Sequence, residues 1–240
     1  MKDIKFFEER LNQLNIKLKQ SQIDQFMLYY DMLIEWNGVM NLTAITEYEE
    51  VINKHFIDSL SLCKVVDLNE VELRVLDIGT GAGFPGIPLK IAFPNLKIVL
   101  IDSLNKRINF LNEVISKLEL DNISALHGRA EDFGKNIEFR ETFDVCVSRA
   151  VSNLATLSEY CMPYVKCGGH FIPYKSSNIG DELQTSMKAI EVLGGEVINV
   201  EEFNLPDSDI QRSLVVIRKN QITPKSYPRS AGKPSKEPIM

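Results

Sequence analysis

The chain has 240 residues, 44% of them apolar and 25% charged, with a formal net charge of −6. That length accommodates one α/β domain of about 170 residues plus a small extra module, and the acidic balance argues against a generic nucleic-acid coat. No apolar run reaches the roughly 18 residues needed to span a bilayer, and the N-terminus, MKDIKFFEERLNQL, is charged and amphipathic, unlike a signal peptide. The expectation is a cytoplasmic protein with no membrane partner. Cys63, Cys146, Cys161 and Cys167 show no C-x-x-C spacing and read as reduced, mostly buried thiols. With His55, His127 and His170 they form no metal-ligand pattern, so no metal is expected.

Residues 2–18 and 21–36 carry apolar residues at helical spacing: Phe6, Phe7, Leu11 and Leu14, then Ile23, Phe26, Met27, Tyr30, Leu33 and Ile34. Ser21 with Asp24 reads as the cap of the second helix. The stretch from Trp36 to Thr43 breaks the pattern, and Thr46 with Glu49 signals a further helix to about Val66. Residues 1–68 are therefore expected to form a small helical module. From residue 73 strands and helices alternate: strand 74–78, helix 85–93, strand 96–101, helix 103–118, strands 122–127 and 143–148, helix 152–166, strand 170–174, helix 181–193, strands 196–203 and 212–218. Such alternation predicts a doubly wound, mostly parallel α/β sheet over residues 69–220, ending in an antiparallel hairpin.

The most informative stretch is RVLDIGTGAGFPGIPL at 74–89. An apolar strand runs through Gly79, Gly81, Gly83 and Gly86 directly into a helical pattern. Such a turn presents bare backbone N–H groups and the positive end of a helix dipole, and glycine lets a ligand approach closely. Two motifs overlap. Gly81-Ala-Gly83-Phe84-Pro-Gly86 fits the dinucleotide fingerprint, and Asp77-Ile-Gly79-Thr-Gly81-Ala-Gly83 fits the form typical of S-adenosylmethionine methyltransferases. Asp77 separates them. A carboxylate two residues before the first glycine repels a pyrophosphate but favours the ammonium and sulfonium of S-adenosylmethionine. Asp102 ends the second strand, nineteen residues after Gly83, where an acid can bind the ribose hydroxyls that both cofactors share.

The carboxyl ends of such strands line the ligand crevice. They include Asp102-Ser103, then His127-Gly128-Arg129-Ala130-Glu131, where a backbone N–H and a carboxylate could read an adenine edge, and Ser148-Arg149, which lie beside the cofactor. Lys175 ends the fifth strand and faces the same crevice. Residues 218–240 carry six cations against Glu237 alone, a net of +5 that leaves −11 on the rest. A basic end on an acidic body points to local contact with an anion such as phosphate. Prolines at 224, 228, 234 and 238 are expected to keep the tail, 221–240, extended and non-helical.

Several segments together make the chain resemble the RsmG family of small-subunit (16S) rRNA guanine-N7 methyltransferases, also called glucose-inhibited division protein B. They are Asn41-Leu42-Thr43, His55 with Asp58-Ser59-Leu60, Asp77–Leu89, Ser148-Arg149-Ala150, Pro173-Tyr174-Lys175, and Tyr227-Pro228-Arg229 with Gly232 and Pro234. The match runs from about residue 20 to the C-terminus. The resemblance implies a Rossmann-like class I fold and S-adenosylmethionine contacts at Gly79, Phe84, Asp102, Ser103, Ala130, Glu131 and Arg149. It implies the bacterial cytoplasm and 16S rRNA or the 30S particle as partner, and it makes Asn41, His55, Lys175 and Arg229 candidates for contacting RNA or bracing the site. His55 and Asp58 lie one helical turn apart, which by itself points to a structural hydrogen bond.

Guanine N7 carries an in-plane lone pair and attacks a sulfonium methyl without losing a proton. In-line displacement therefore needs no general base, only alignment and desolvation. A cytosine-C5 enzyme would need a cysteine nucleophile, and adenine-N6 enzymes carry a Pro-Pro loop where this chain has Ser148-Arg149-Ala150-Val151. Arg149 and Lys175 are expected to orient phosphate or guanine O6. Three other readings stand beside this one. A methyltransferase acting on a small molecule or protein would not need residues 221–240. A nicotinamide oxidoreductase would bind NAD(H). A non-enzymatic RNA-binding module would leave Asp77 and Asp102 without a purpose. The small acidic body with one basic strip points to a monomer that docks transiently.

Overall fold

The computed structural model describes residues 2–69, 72–149, 152–176 and 178–240. Ala150, part of one motif above, lies outside the described residues. Seven strands form one sheet: β1 (Arg74–Ile78), β2 (Lys97–Asp102), β3 (Ile123–His127), β4 (Phe143–Arg149), β5 (Val165–Ser176), β6 (Gly195–Asn204) and β7 (Gln211–Lys219). Their order is β3-β2-β1-β4-β5-β7-β6. The first five run parallel, and β7 is antiparallel to both β5 and β6. The crossovers are α5 (Gly86–Ala92), α6 (Asn105–Lys117), α7 (Ala130–Phe133), α8 (Leu154–Cys161) and α9 (Gly180–Val192). The winding reverses between β1 and β4, and that reversal opens the crevice in such sheets.

Alternation along each strand sorts the core into two layers. Val75, Val145, Val147, Ile172 and Leu214 pack with α5, α6 and the N-terminal helices α1 (Ile4–Gln13) and α2 (Gln20–Met40). Leu76, Ile78, Cys146, Phe171, Val215 and Ile217 pack with α8 and α9 on the other face. The N-terminal helices thus share one buried cluster with the sheet. Gln22 Nε2 donates to the carbonyls of Ile91 and Ala92 at the end of α5, and Tyr29 Oη donates to the Ala82 carbonyl at 2.5 Å.

Four local expectations differ from the structure. Helix α2 runs through Gly38 to Met40 and stops at Asn41, which takes the left-handed conformation at φ 50°. Its start is held by Gln22 Oε1, which accepts from the Lys19 backbone N–H, while Asp24 accepts from Gln20. The helix after Glu47 makes no side-chain cap with Thr46. It proceeds through α3 (Tyr48–Val51), a π turn (Ile52–Ile57), α4 (Asp58–Leu60) and a 3-10 turn (Ser61–Lys64). Helix α8 ends at Cys161 because Pro163 cannot continue it, and the chain passes through a 3-10 turn (Met162–Tyr164) into the long strand β5.

The tail is not extended. It folds back on the body, with Thr223, Pro228 and Pro234 buried. It includes one helical turn, α10 (Lys233–Lys236), which begins after a left-handed Gly232 with proline in its first turn, where a missing N–H costs nothing.

Candidate active site

The loop after β1 is built on left-handed glycines, with φ of 70° at Gly79, 64° at Gly81 and 102° at Gly83. At Gly83 a Cβ would also meet Ile87 Cγ1 at 2.6 Å and the Tyr29 hydroxyl at 2.8 Å, so only glycine fits. Asp77 braces the loop from behind. It is fully buried, and its Oδ2 accepts from Thr80 Oγ1 at 2.7 Å and from the Gly86 N–H at 2.9 Å. Among the described residues its Oδ1 has no hydrogen-bond partner. Burial pushes its pKa up to about 6, against the pull of Thr80, Gly86 and Arg149.

In front of the loop lies a cavity of about 540 Å³, lined by Gly79, Asp102, Ser103, Ala130 and Glu131 among others. That volume falls in the usual range for small-molecule sites. Asp102 is almost wholly enclosed, and its Oδ2 accepts from the Gly81 N–H (2.9 Å) and from Arg107 (3.1 Å), while Oδ1 accepts from the Leu104 N–H. Glu131 Oε1 accepts from the Gly232 N–H at 2.8 Å; no described residue bonds Oε2. Carboxylates at the tips of β2 and just after β3, with open glycine backbone between, match the hydroxyl and amine donors of a nucleoside. The donor set therefore fits S-adenosylmethionine.

A second cavity of about 580 Å³ opens on the β4–β5 side of the reversal. Its lining includes Lys54, Arg149, Lys175 and Arg212 against Asp58 and Glu182, so it carries a net positive charge. Asp58 joins two of the cations, accepting from Arg149 Nη1 at 2.9 Å and from Arg212 Nε at 3.0 Å. Lys175 Nζ donates to Glu182 Oε1 (2.7 Å) and to the Ser152 carbonyl (2.8 Å).

His55 projects from the π turn, a distortion that recurs at functional positions. Its ring stacks on Phe84 at 4.5 Å between centroids, and the Arg149 guanidinium lies over the same Phe84 ring at 5.1 Å. His55 Nδ1 lies 3.3 Å from Arg149 Nη2 and 3.1 Å from the Lys54 carbonyl oxygen, and Nε2 lies 2.8 Å from Thr43 Oγ1. Burial, then Arg149, lowers the His55 pKa to about 3, so the ring is neutral at physiological pH.

The structure gathers Gly79, Asp102, Ser103, Ala130 and Glu131 around the first cavity, and His55, Arg149 and Lys175 around the second. Phe84 is buried, and its ring packs against both the His55 ring and the Arg149 guanidinium. Gly81, Gly83 and Asp77 shape the loop without lining the first cavity. Other candidates lie elsewhere. Ser148 is fully buried, its hydroxyl donating to the Ile78 carbonyl and tying β4 to β1. Asn41 is exposed at the end of α2. Arg229 forks onto the buried Glu159 instead of lining either cavity. His55 and Asp58 are joined through Arg149 rather than to each other. Sequence reasoning missed Arg212 and Tyr29, and had Gly232 only as a position of the family motif in the tail. Their partners Asp58, Ala82 and Glu131 lie 154, 53 and 101 residues away, beyond any local spacing rule. A buried acid such as Asp58 needing a cation is the one signal that could have pointed to Arg212.

Comparison with known proteins agrees with this geometry. The family model for rRNA small subunit methyltransferase G (GidB) matches residues 22–215. The chain is 58% identical to the ribosomal RNA small subunit methyltransferase G of Lachnoclostridium phytofermentans, over all of this chain and 99% of that one. It is 52% identical to the protein of the same name from Acetivibrio thermocellus, over 98% and 96% of the two chains. Among solved structures, a precorrin-6y C5,15-methyltransferase from Geobacter metallireducens superposes with a TM-score of 0.52 at 16% identity, covering 73% of this chain and 90% of that one. The P. horikoshii TYW2 protein in complex with MeSAdo gives 0.52 at 15% identity, covering 68% and 62%. These likenesses establish the class I methyltransferase fold.

Proposed function

The chain belongs to the rRNA small subunit methyltransferase G family and is a SAM-dependent rRNA methyltransferase, and we propose that its acceptor is N7 of a guanine in 16S rRNA. The observation that carries this reading is the second cavity. It is net positive, it adjoins the cofactor loop at the β1–β4 reversal, and its one histidine is held neutral by burial and by Arg149. Positive charge suits a phosphate-bearing substrate. A nucleophile with a free in-plane lone pair needs no base, and among the described residues none is poised there: His55 is wedged between Phe84, Thr43 and Arg149, Asp58 is committed to two arginines, and Glu182 accepts from Lys175.

S-adenosylmethionine, when bound, supplies the electrophilic methyl. Asp102, Glu131 and the Gly79 backbone would hold its nucleoside. Arg149, fixed by Asp58 and the Lys54 carbonyl, and Lys175, fixed by Glu182, orient the guanine O6 or a neighbouring phosphate, while Phe84 and His55 exclude water from one wall. The substrate is read as 16S rRNA or the 30S particle, and the protein as a cytoplasmic monomer. Purified protein incubated with labelled S-adenosylmethionine and either unmodified substrate should place 7-methylguanosine at a single guanine, mapped by base-specific cleavage. Label at another nucleobase atom, or none on either substrate, would overturn this acceptor assignment. Arg149→Ala and Lys175→Ala should each lower transfer at least tenfold with cofactor binding retained; full activity in both would remove them from the positioning role.

A further inference from the structure

The basic tail, expected to meet RNA, is instead built into the wall of the cofactor cavity. Gly232 lines that cavity, and its backbone N–H donates to Glu131 Oε1 at 2.8 Å. Three anchors hold the strap in place. Arg229 donates through Nε to Glu159 Oε1 (2.9 Å) and through Nη2 to Oε2 (2.6 Å), and its backbone N–H donates to Oε1. Glu159, on α8, is almost wholly enclosed. Arg140 donates to the carbonyls of Thr223, Pro224 and Tyr227. Thr156 Oγ1 donates to the Pro234 carbonyl in the interior. A charge-assisted fork onto a buried acid fixes geometry as well as energy, so Gly232 is delivered at a set distance from Glu131.

We propose that this strap is a cofactor-positioning device: the Arg229–Glu159 pair seats Gly232 so that its N–H occupies Glu131 Oε1 and turns Oε2 toward the nucleoside of S-adenosylmethionine. The inference rests on the cofactor reading of the first cavity. Without the strap, Glu131 regains rotamer freedom and water, and the ligand must order the carboxylate as it binds. The charge of the tail follows from the same arrangement. Arg229 is spent on an anchor and Lys219 is buried on the Met162 carbonyl and Thr223, which leaves Arg218, Lys225, Lys233 and Lys236 as its exposed cations.

The test uses the full chain with S-adenosylhomocysteine as calorimetric probe. Gly232 sits at φ +78° with nothing within 4 Å of a built Cβ. A Cβ at this position meets nothing, so Gly232→Val acts by driving the backbone out of the left-handed region. It should raise the Kd for the probe about tenfold. Arg229→Gln should do the same, and the two together should cost little more than either, because both release one N–H. Steady-state assays should show a matching rise in KM for S-adenosylmethionine with kcat at saturating cofactor within twofold of wild type, a split that general loss of structure would not produce. Arg229→Lys should recover part of the affinity. Wild-type Kd in Gly232→Val and in Arg229→Gln would overturn the proposal, as would a fall in kcat with KM unchanged. If the unaltered protein binds the probe but methylates no guanine N7, the acceptor reading fails and the strap stands.

Discussion

Asp58 is the point at which stability and the second cavity meet. Its side chain is 3% exposed, and it carries one negative charge between Arg149 (14% exposed) and Arg212 (23% exposed). Asp58→Asn keeps the shape and one acceptor oxygen but turns an N–H₂ donor toward the second guanidinium. Two cations are then left without their shared counter-ion. Removing one partner of a buried pair costs about 3–5 kcal/mol. The lower end, about 3 kcal/mol, applies here because both arginines reach the mouth of the cavity and can turn part of their charge to water. For a chain of this size 1 kcal/mol corresponds to about 2–4 °C in Tm, so the variant should melt about 6–12 °C below wild type in a calorimetric scan. In an Arg212→Leu background the same substitution should cost less, because only one cation then loses its partner. A Tm within 2 °C of wild type, or a full additive penalty in the Arg212→Leu background, would refute the bridging role.

Tyr29→Phe removes the hydroxyl that donates to the Ala82 carbonyl inside the glycine loop. An unmet buried acceptor costs about 1–3 kcal/mol, visible as a lower urea midpoint at unchanged slope, and cofactor Kd should rise with it. The pH dependence of stability contains two opposed contributions. His55 has its pKa lowered from 6.5 to about 3, so folding disfavours its protonation; its contribution is full above pH 6.5 and is lost as pH falls toward 3. Asp77 has its pKa raised from 3.8 to about 6, so the folded state holds the extra proton; its contribution is full below pH 4 and is lost as pH rises through 6. Between pH 4 and 6 the two slopes nearly cancel, so in urea titrations Asp77→Asn should uncover a gain in stability with rising pH over that window, whereas His55→Gln should uncover a decline.

Much of the sheet was legible because its signals are local. The strand at 74–78, the glycine run and the acid ending β2 are written in contiguous residues, and their hydrophobic alternation admits one register. Asp77 was legible as a motif position, yet its placement was not. A carboxylate on the strand alternates toward the α5 face, where it meets Thr80 and Gly86 instead of the cavity. The same alternation hides Ser148 between β4 and β1. Parity along a strand thus decides whether a motif residue touches a ligand or holds the loop that does.

The tail shows why charge counts alone mislead. Arg229 adds to the sequence's basic strip as much as Lys233 does, but only Arg229 meets a buried carboxylate, 70 residues away in the chain. Pairing over that distance depends on α8 packing against the sheet, which no composition reveals. The prolines that predicted an extended segment serve the opposite end. Proline at 234 fits the first turn of α10, and Pro228 packs into the body near Gly134, whose built Cβ would lie 3.1 Å from its ring. Rigid φ values at these positions lower the entropy the tail loses on docking. A short, weakly helical segment can therefore stay seated on the cofactor cavity with a handful of hydrogen bonds, while Lys225 and Lys236 stay exposed and Lys233 pairs with Glu237.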